Sequence, residues 1–158
     1  GSHVHWDRKL DSLLAQALMS IQAVKGVEIG DGFEVAHRRG SEAHDAITWE
    51  ADSGYRRESD LAGGVEGGIS TGALLVCRAA MKPLATLNRP TLRTVDVFTK
   101  QETVSFKERT DVTAVPAMGV VAETMVALVL AAEAQRKFGG DSVPEFIANH
   151  AAFVATLD

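Results

Sequence analysis

Cysteine, proline and tyrosine are scarce in this 158-residue chain: one cysteine, four prolines and one tyrosine. With Cys77 alone, no internal disulfide can form, which suits a reducing compartment; in the apolar run LLVCRAA it reads as a small hydrophobe of the interior. Charge of one sign is also lacking. The formal net charge is −5 and the basic residues are scattered, so a general nucleic-acid surface is not expected. No signal-like segment opens the chain, because the N-terminus is polar and charged. The longest apolar run, 118–132, is broken by Glu123 and Thr124 and stops at Glu133, too short on this reading for a membrane span. The expectation is a cytoplasmic protein.

Standard motifs are missing as well. There is no GxGxxG, no GxxxxGK[ST], no GxSxG elbow and no HExxH. The histidines, at 3, 5, 37, 44 and 150, have no cysteine cluster to complete a metal site, so none is expected. What remains is ordinary globular composition, 46% hydrophobic and 23% charged, at a length that fits one domain over residues 1–158.

The positive features follow the chain. Leu10, Leu13, Leu14, Ala17, Leu18 and Ile21 repeat at helical spacing, which predicts an amphipathic helix starting near Asp7. Val24 to Ile29 alternates as a strand, with Phe33 to Ala36 extended beyond it. Residues Ile47 to Leu61 read as a surface loop or ragged hairpin, and the glycine-dense Ala62 to Ser70 as too flexible for any regular element. Ala73 to Met81 predicts a strand ended by Pro83; Thr91 to Phe98 and Thr103 to Phe106 predict an antiparallel hairpin. A long helix over Ala117 to Phe138, apolar on almost every side through Leu130, is expected between layers and to stop at Gly139-Gly140. The spacing Ser142…Glu145 opens a last helix with a capping box. The order is α, a β-rich middle, α, α, an α+β fold with helices layered against antiparallel sheet.

Three stretches carry chemistry. SIQAVKGVEIGDGF combines glycines, Lys25 and carboxylates behind a helix, yet its spacing matches no phosphate cradle. In RAAMKPLAT a strand delivers Lys82 at its end, Pro83 stiffens the turn, backbone donors can face an anion and Thr86 adds a hydroxyl; a lysine in a solvated loop is the plainer alternative. In KERTDVTAVPAMG, Arg109 and Asp111 share a face of an extended backbone, so the guanidinium could clamp a phosphate or carboxylate and the carboxylate could handle a proton; a surface ion pair is the alternative.

Taken in order, SIQAVKGVEIGDGF, AGGVEGGIS, RAAMKPLAT, ERTDVTAVPAMGVVAETMVA and KFGGDS resemble chorismate synthase over nearly the whole chain, most closely its actinobacterial members. In those members a GSHVHWDRKLD-like segment precedes the helix, so Gly1 to His3, which alone would read as an expression scar, fits as native sequence. The resemblance implies the C-terminal part of a longer enzyme whose N-terminal part carries the proposed acid histidines and several substrate arginines. It implies a β-α-β sandwich and a homotetramer, and an association with NADP. It implies an anti-1,4-elimination of phosphate from 5-enolpyruvylshikimate 3-phosphate giving chorismate, with reduced FMN (FMNH2) as cofactor. It implies flavin-binding roles for Gln22, Ala23, Gly67, Lys82, Pro83, Leu84, Ala85, Thr86 and Arg109, and catalytic roles for Arg109 and Asp111. Thr110 and Leu84-Ala85 depart from the commoner serine and Ile-Ser of the family, which keeps one hydroxyl and removes another. Lys25 receives no role. The alternative is a non-catalytic structural or oligomerising module, inactive without the N-terminal part.

Overall fold

The computed structural model describes residues 1–85, 89, 91–106 and 111–157. Helices and antiparallel strand pairs make an α+β architecture in the order expected from sequence: α1 (Leu10–Met19), β1 (Val24–Ile29), β2 (Ile47–Glu50), β3 (Gly54–Arg57), β4 (Val65–Glu66), β5 (Ile69–Ser70), β6 (Cys77–Met81), β7 (Arg93–Val95), β8 (Glu102–Val104), α2 (Val115–Phe138) and α3 (Val143–Val154). The pairs are β1–β6, β2–β3, β4–β5 and β7–β8, all antiparallel. Among the described residues, only β1–β6 joins distant parts of the chain.

The core follows from the spacing of the first helix. Leu10, Leu14 and Leu18 recur every four residues, lie on one face of α1 and are at most 2% exposed; Val24 and Val65 complete the buried set. Burying each leucine contributes about 1.5–3 kcal/mol. The helix begins later than expected, because Lys9 is extended and Asp7 sits in a short 3-10 turn over Trp6–Arg8; Asp11 is the carboxylate at the positive end. The N–H of Leu10 donates to the carbonyl of Gly68 (2.8 Å), tying the helix start to the β4–β5 turn.

Several expectations change for local reasons. Residues Gly32–His37 are a 3-10 helix, not an extension of β1: Gly30 and Gly32 adopt positive φ, and the Glu28 carboxylate accepts from the Phe33 N–H (3.2 Å), which curls the chain. The glycine-dense segment does form a regular element. Gly67 (φ 58°) and Gly68 (φ 84°) are the central residues of a two-residue hairpin turn, where both positions need positive φ, so the glycines build β4–β5. Residues 47–57 are the hairpin alternative, with Trp49 opposite Tyr55. The strand predicted from Ala73 is confined to Cys77–Met81, because the Val76 N–H donates to Gly63 (3.1 Å) and its carbonyl accepts from Gly30 (2.8 Å), where two chain segments cross. β7 and β8 are shorter than predicted, and Asp96 closes their loop by accepting from the N–H groups of Phe98 and Thr99.

The long helix departs most from its expected setting. Its apolar surface predicts a place between layers, but no residue of α2 is buried: Val120 is 66% and Leu128 59% exposed, while Met118, Ala122, Val126 and Val129 form the half-covered stripe. Its partners α1 and β6 lie along that one side, while α3 meets the C-terminal turns of α2 at Ala131, Ala134 and Phe138. Neither Glu123 nor Thr124 interrupts it, since both residues are compatible with helix. The 24 residues, with an 18-residue window of mean hydropathy 2.0, are long and apolar enough to cross a membrane by length and composition, contrary to the sequence reading. In the structure one side of α2 packs on α1.

At the far end Gly139 (φ 61°) ends α2, and Ser142 with Glu145 forms the predicted capping box of α3. Phe138 is surrounded by Phe146, His150 and Phe153 at ring distances of 5.7, 4.9 and 5.8 Å, and its carbonyl accepts from Asn149 (2.8 Å), which fixes the α2–α3 turn.

Gly30 and Gly63 meet backbone to backbone. A Cβ on Gly63 would lie 3.0 Å from the Val76 carbonyl oxygen and nearer still to Gly30, at a φ of 63° that side chains rarely adopt. Gly63→Ala is therefore expected to cost roughly 2–4 kcal/mol of stability. Urea unfolding measures it, and a loss below about 0.5 kcal/mol would show that this crossing can relax.

Candidate functional site

The β1–β6 ladder brings two of the three chemical stretches together. Val24 pairs with Met81, and just beyond this pair the N–H of Lys82 donates to the carbonyl of Ala23 (2.7 Å). Residues 59 apart in sequence thus become neighbours, Gln22-Ala23 entering β1 and Lys82-Pro83-Leu84-Ala85 leaving β6. Gln22, Lys82, Pro83 and Ala85 are exposed and Leu84 is half-buried, so the segments present polar groups and backbone to solvent on a rigid base.

Ala23 holds an unusual conformation at this junction. Its φ is 67°, one of two non-glycine positive values among the described residues, the other being Lys100 in a loop. A left-handed alanine costs about 1 kcal/mol, and here it turns the chain from the end of α1 into β1 while aiming the carbonyl at Lys82. Strain of this kind held by a ladder hydrogen bond marks a junction whose geometry is over-determined.

The other predicted residues lie elsewhere. Gly67 is exposed at the β4–β5 turn, against the first turn of α1, whereas Ala23 follows the last; ten helical residues, about 15 Å, separate them. This chain does not bring Gly67 to Ala23 and Lys82. A Cβ at Gly67 meets nothing within 4 Å, so within this chain its positive φ, rather than crowding, calls for glycine. Asp111 is exposed, four residues ahead of α2. Thr86 and Arg109 lie outside the described residues. Cavities of about 660 Å³ at the α2–α3 turn and about 360 Å³ between α1, β6 and α2 are lined by other residues. Among the described residues no three His, Cys, Asp or Glu side chains cluster to hold a metal. Cys77 is half-buried on β6, and burial pushes its thiol up, which makes it a poor nucleophile.

A set of ion pairs that sequence reading overlooked braces the surrounding loops. Arg57 makes a two-pronged contact with Glu66 (3.2 and 2.5 Å), linking the β2–β3 hairpin to the residue before Gly67. Asp45 accepts from the Ser59 hydroxyl (2.5 Å) and the N–H groups of Leu61 (2.8 Å) and Ala62 (3.0 Å), pinning the approach to Gly63. Asp31 receives Arg38 (2.6 Å) and lies 3.8 Å from Arg78, which also donates to the Gly30 carbonyl. In sequence Asp45 was only one charge of a mixed run, HRRGSEAHD; its partners, 14 to 17 residues away, gave no local signal.

The model of the family described as chorismate synthase matches residues 1–134. The chain belongs to the chorismate synthase family. It is 61% identical to a chorismate synthase of Micrococcus luteus over 157 residues, covering 99% of this chain and 38% of the relative, and 62% identical to that of Thermobifida fusca, with 99% and 39% covered. A crystal structure of chorismate synthase superposes with a TM-score of 0.78 at 43% identity, over 99% of this chain and 39% of that one. The chain therefore spans about two-fifths of the length of the chorismate synthases it matches, and the fold is shared with that part of them.

The Asp45 carboxyl is pushed up by partial burial, but the Ser59 hydroxyl, the two N–H groups and the charge of Arg57 outweigh this and hold it below its ordinary value. A carboxyl depressed on folding adds stability that is present above its unfolded pKa and is lost as pH falls through the folded one. Asp45→Asn should lose about 1–2 kcal/mol at pH 7 and show a flatter stability profile between pH 5 and 2. Thermal melts across that range test it; parallel profiles for both proteins would contradict the assignment.

Proposed function

We propose that this chain is the flavin-site part of a chorismate synthase, a lyase that acts together with the longer family member's remaining length. The observation that carries the reading is the junction of Ala23 with Lys82, because the two segments assigned to the flavin by resemblance are adjacent only through the β1–β6 ladder. The reaction is the anti-1,4-elimination in which the C3–O bond of 5-enolpyruvylshikimate 3-phosphate breaks, C6 loses a hydrogen and a second ring double bond forms, giving chorismate and phosphate. Reduced FMN, when bound, supplies an electron transiently and recovers it, so no net oxidation results.

The residues present fit such a cofactor. Lys82 is an exposed ammonium at the end of a rigid strand, suited to a phosphate dianion; Gln22 offers an amide donor and acceptor for the edge of a polar ring; the backbone of Pro83 to Ala85 can lie along it. Thr86 and Arg109 belong to the same proposal through the motifs that carry them, with Arg109 as a clamp for anionic substrate and a counter-charge to the departing phosphate. Asp111 is proposed to move the proton and Gly67 to allow a close approach of backbone to the ring. Homotetramer formation, a cytoplasmic setting and any involvement of NADP belong to the whole enzyme and are proposed with it.

A second reading, a structural or oligomerising module, is favoured by one observation: α2 exposes Val120, Val121 and Leu128 over a continuous apolar side. The two readings are compatible if the module is one part of the enzyme.

In the full-length chain, Lys82→Ala should weaken FMN binding about tenfold by fluorescence titration, the loss of one charge-assisted contact. Asp111→Asn is expected to slow phosphate release by roughly 100-fold while leaving FMN affinity within about twofold. Unchanged FMN affinity in the first variant, or unchanged turnover in the second, removes that residue from its role.

A further inference from the structure

The described lysines divide into two groups. Lys9 pairs with Asp11 (3.2 Å), Lys100 donates to the Val97 carbonyl (2.7 Å) and Lys137 lies over the Phe153 ring (3.6 Å). Lys25 and Lys82 have no such side-chain partner among the described residues, and both are exposed. These two unpartnered ammonium groups lie at the same end of the same ladder.

Their placement follows from the register. Val24 and Met81 are partners, and Val24 is 4% exposed, so this pair faces the interior. Each lysine is the residue next after one member of the pair, Lys25 in β1 and Lys82 just past the end of β6, and both are exposed. The register slips between Val24 and Gly26, which leaves Lys25 as the extra residue of a bulge opposite the end of β6. Bulges re-aim a side chain and are commonly found beside functional sites. Diagonal neighbours across such a ladder lie roughly 7–8 Å apart, within reach of two long side chains converging on one group. Two ammonium groups that converge from one end of a ladder repel; a doubly charged anion between them removes that cost.

We propose that Lys25 is a second phosphate-binding cation, forming with Lys82 a subsite for a phosphate monoester dianion. The proposal rests on the flavin reading given above for Lys82 and extends it to a residue outside the segments assigned to the cofactor. The phosphate can come from FMN or from 5-enolpyruvylshikimate 3-phosphate. FMN is the expected source, because Ala23, two residues before Lys25, holds the Lys82 segment directly.

The test compares wild type, Lys25→Gln and Lys25→Arg in the full-length chain, by titration with FMN, with riboflavin, which lacks the phosphate, and with 5-enolpyruvylshikimate 3-phosphate on the flavin-free protein. Lys25→Gln should bind FMN about tenfold more weakly, with a shallower dependence on salt, while its riboflavin affinity and melting temperature stay at wild-type values and Lys25→Arg recovers most of the loss. An equal loss confined to the substrate titration would keep the subsite and assign it to the substrate's phosphate. If both phosphate ligands bind Lys25→Gln as they bind wild type, the proposal is overturned. Failure of the flavin reading has a separate signature: wild type would then not prefer FMN to riboflavin, and the substrate titration alone would decide Lys25.

Discussion

The β1–β6 ladder is the constraint on which the rest depends. It is the pairing that closes the chain over a long loop, and it must form in one register, because a slip by one residue would turn Val24 outward. One end is fixed by backbone crossing: Gly30, Gly63 and Val76 exchange hydrogen bonds where side chains cannot fit. The other end is fixed by the bond from Lys82 to Ala23. Helix α1 adds the three leucines of the core, and its two ends are anchored to the β4–β5 turn and to β1.

Charge in this molecule has two uses. Carboxylates such as Asp45, Asp31 and Glu66 are partnered by hydroxyls, amides or guanidinium groups that hold loops in place, and those contacts offset the lost hydration. The cations at the end of the ladder are different, since they stand at a rigid, exposed junction and do not brace anything in the described chain. Rigidity with unspent charge is what an anionic ligand requires, because little ordering remains to be done on binding.

The long helix shows why periodicity could be read correctly and its setting missed. Its near-continuous apolar surface predicts burial, and one stripe does meet α1 and β6. The remaining surface is uncovered in this chain, which spans only about two-fifths of the length of its relatives. Apolar composition measures how much surface a helix needs to hide; it does not say which segment hides it. The same holds for Glu123 and Thr124, whose polarity breaks a run of letters without breaking a helix.

The first helix, β1, the capping box of α3 and the glycine stop of α2 were legible because each depends on residues within about one or two turns: leucine spacing, strand alternation, a Ser–Glu pair, a glycine with positive φ. The order of elements and the family were legible for the same reason, being carried by contiguous motifs. Tertiary structure alone decided that Ala23 takes a left-handed backbone, that Lys82 meets it, that Gly67 lies at the opposite end of α1, and that the glycine-rich segment is a hairpin. Each of these depends on hydrogen bonds or steric contacts between segments many residues apart, or on a turn geometry chosen by the strands it joins. A one-dimensional pattern holds no record of such distances, so the sequence marks out the segments while the ladder decides which of them stand together.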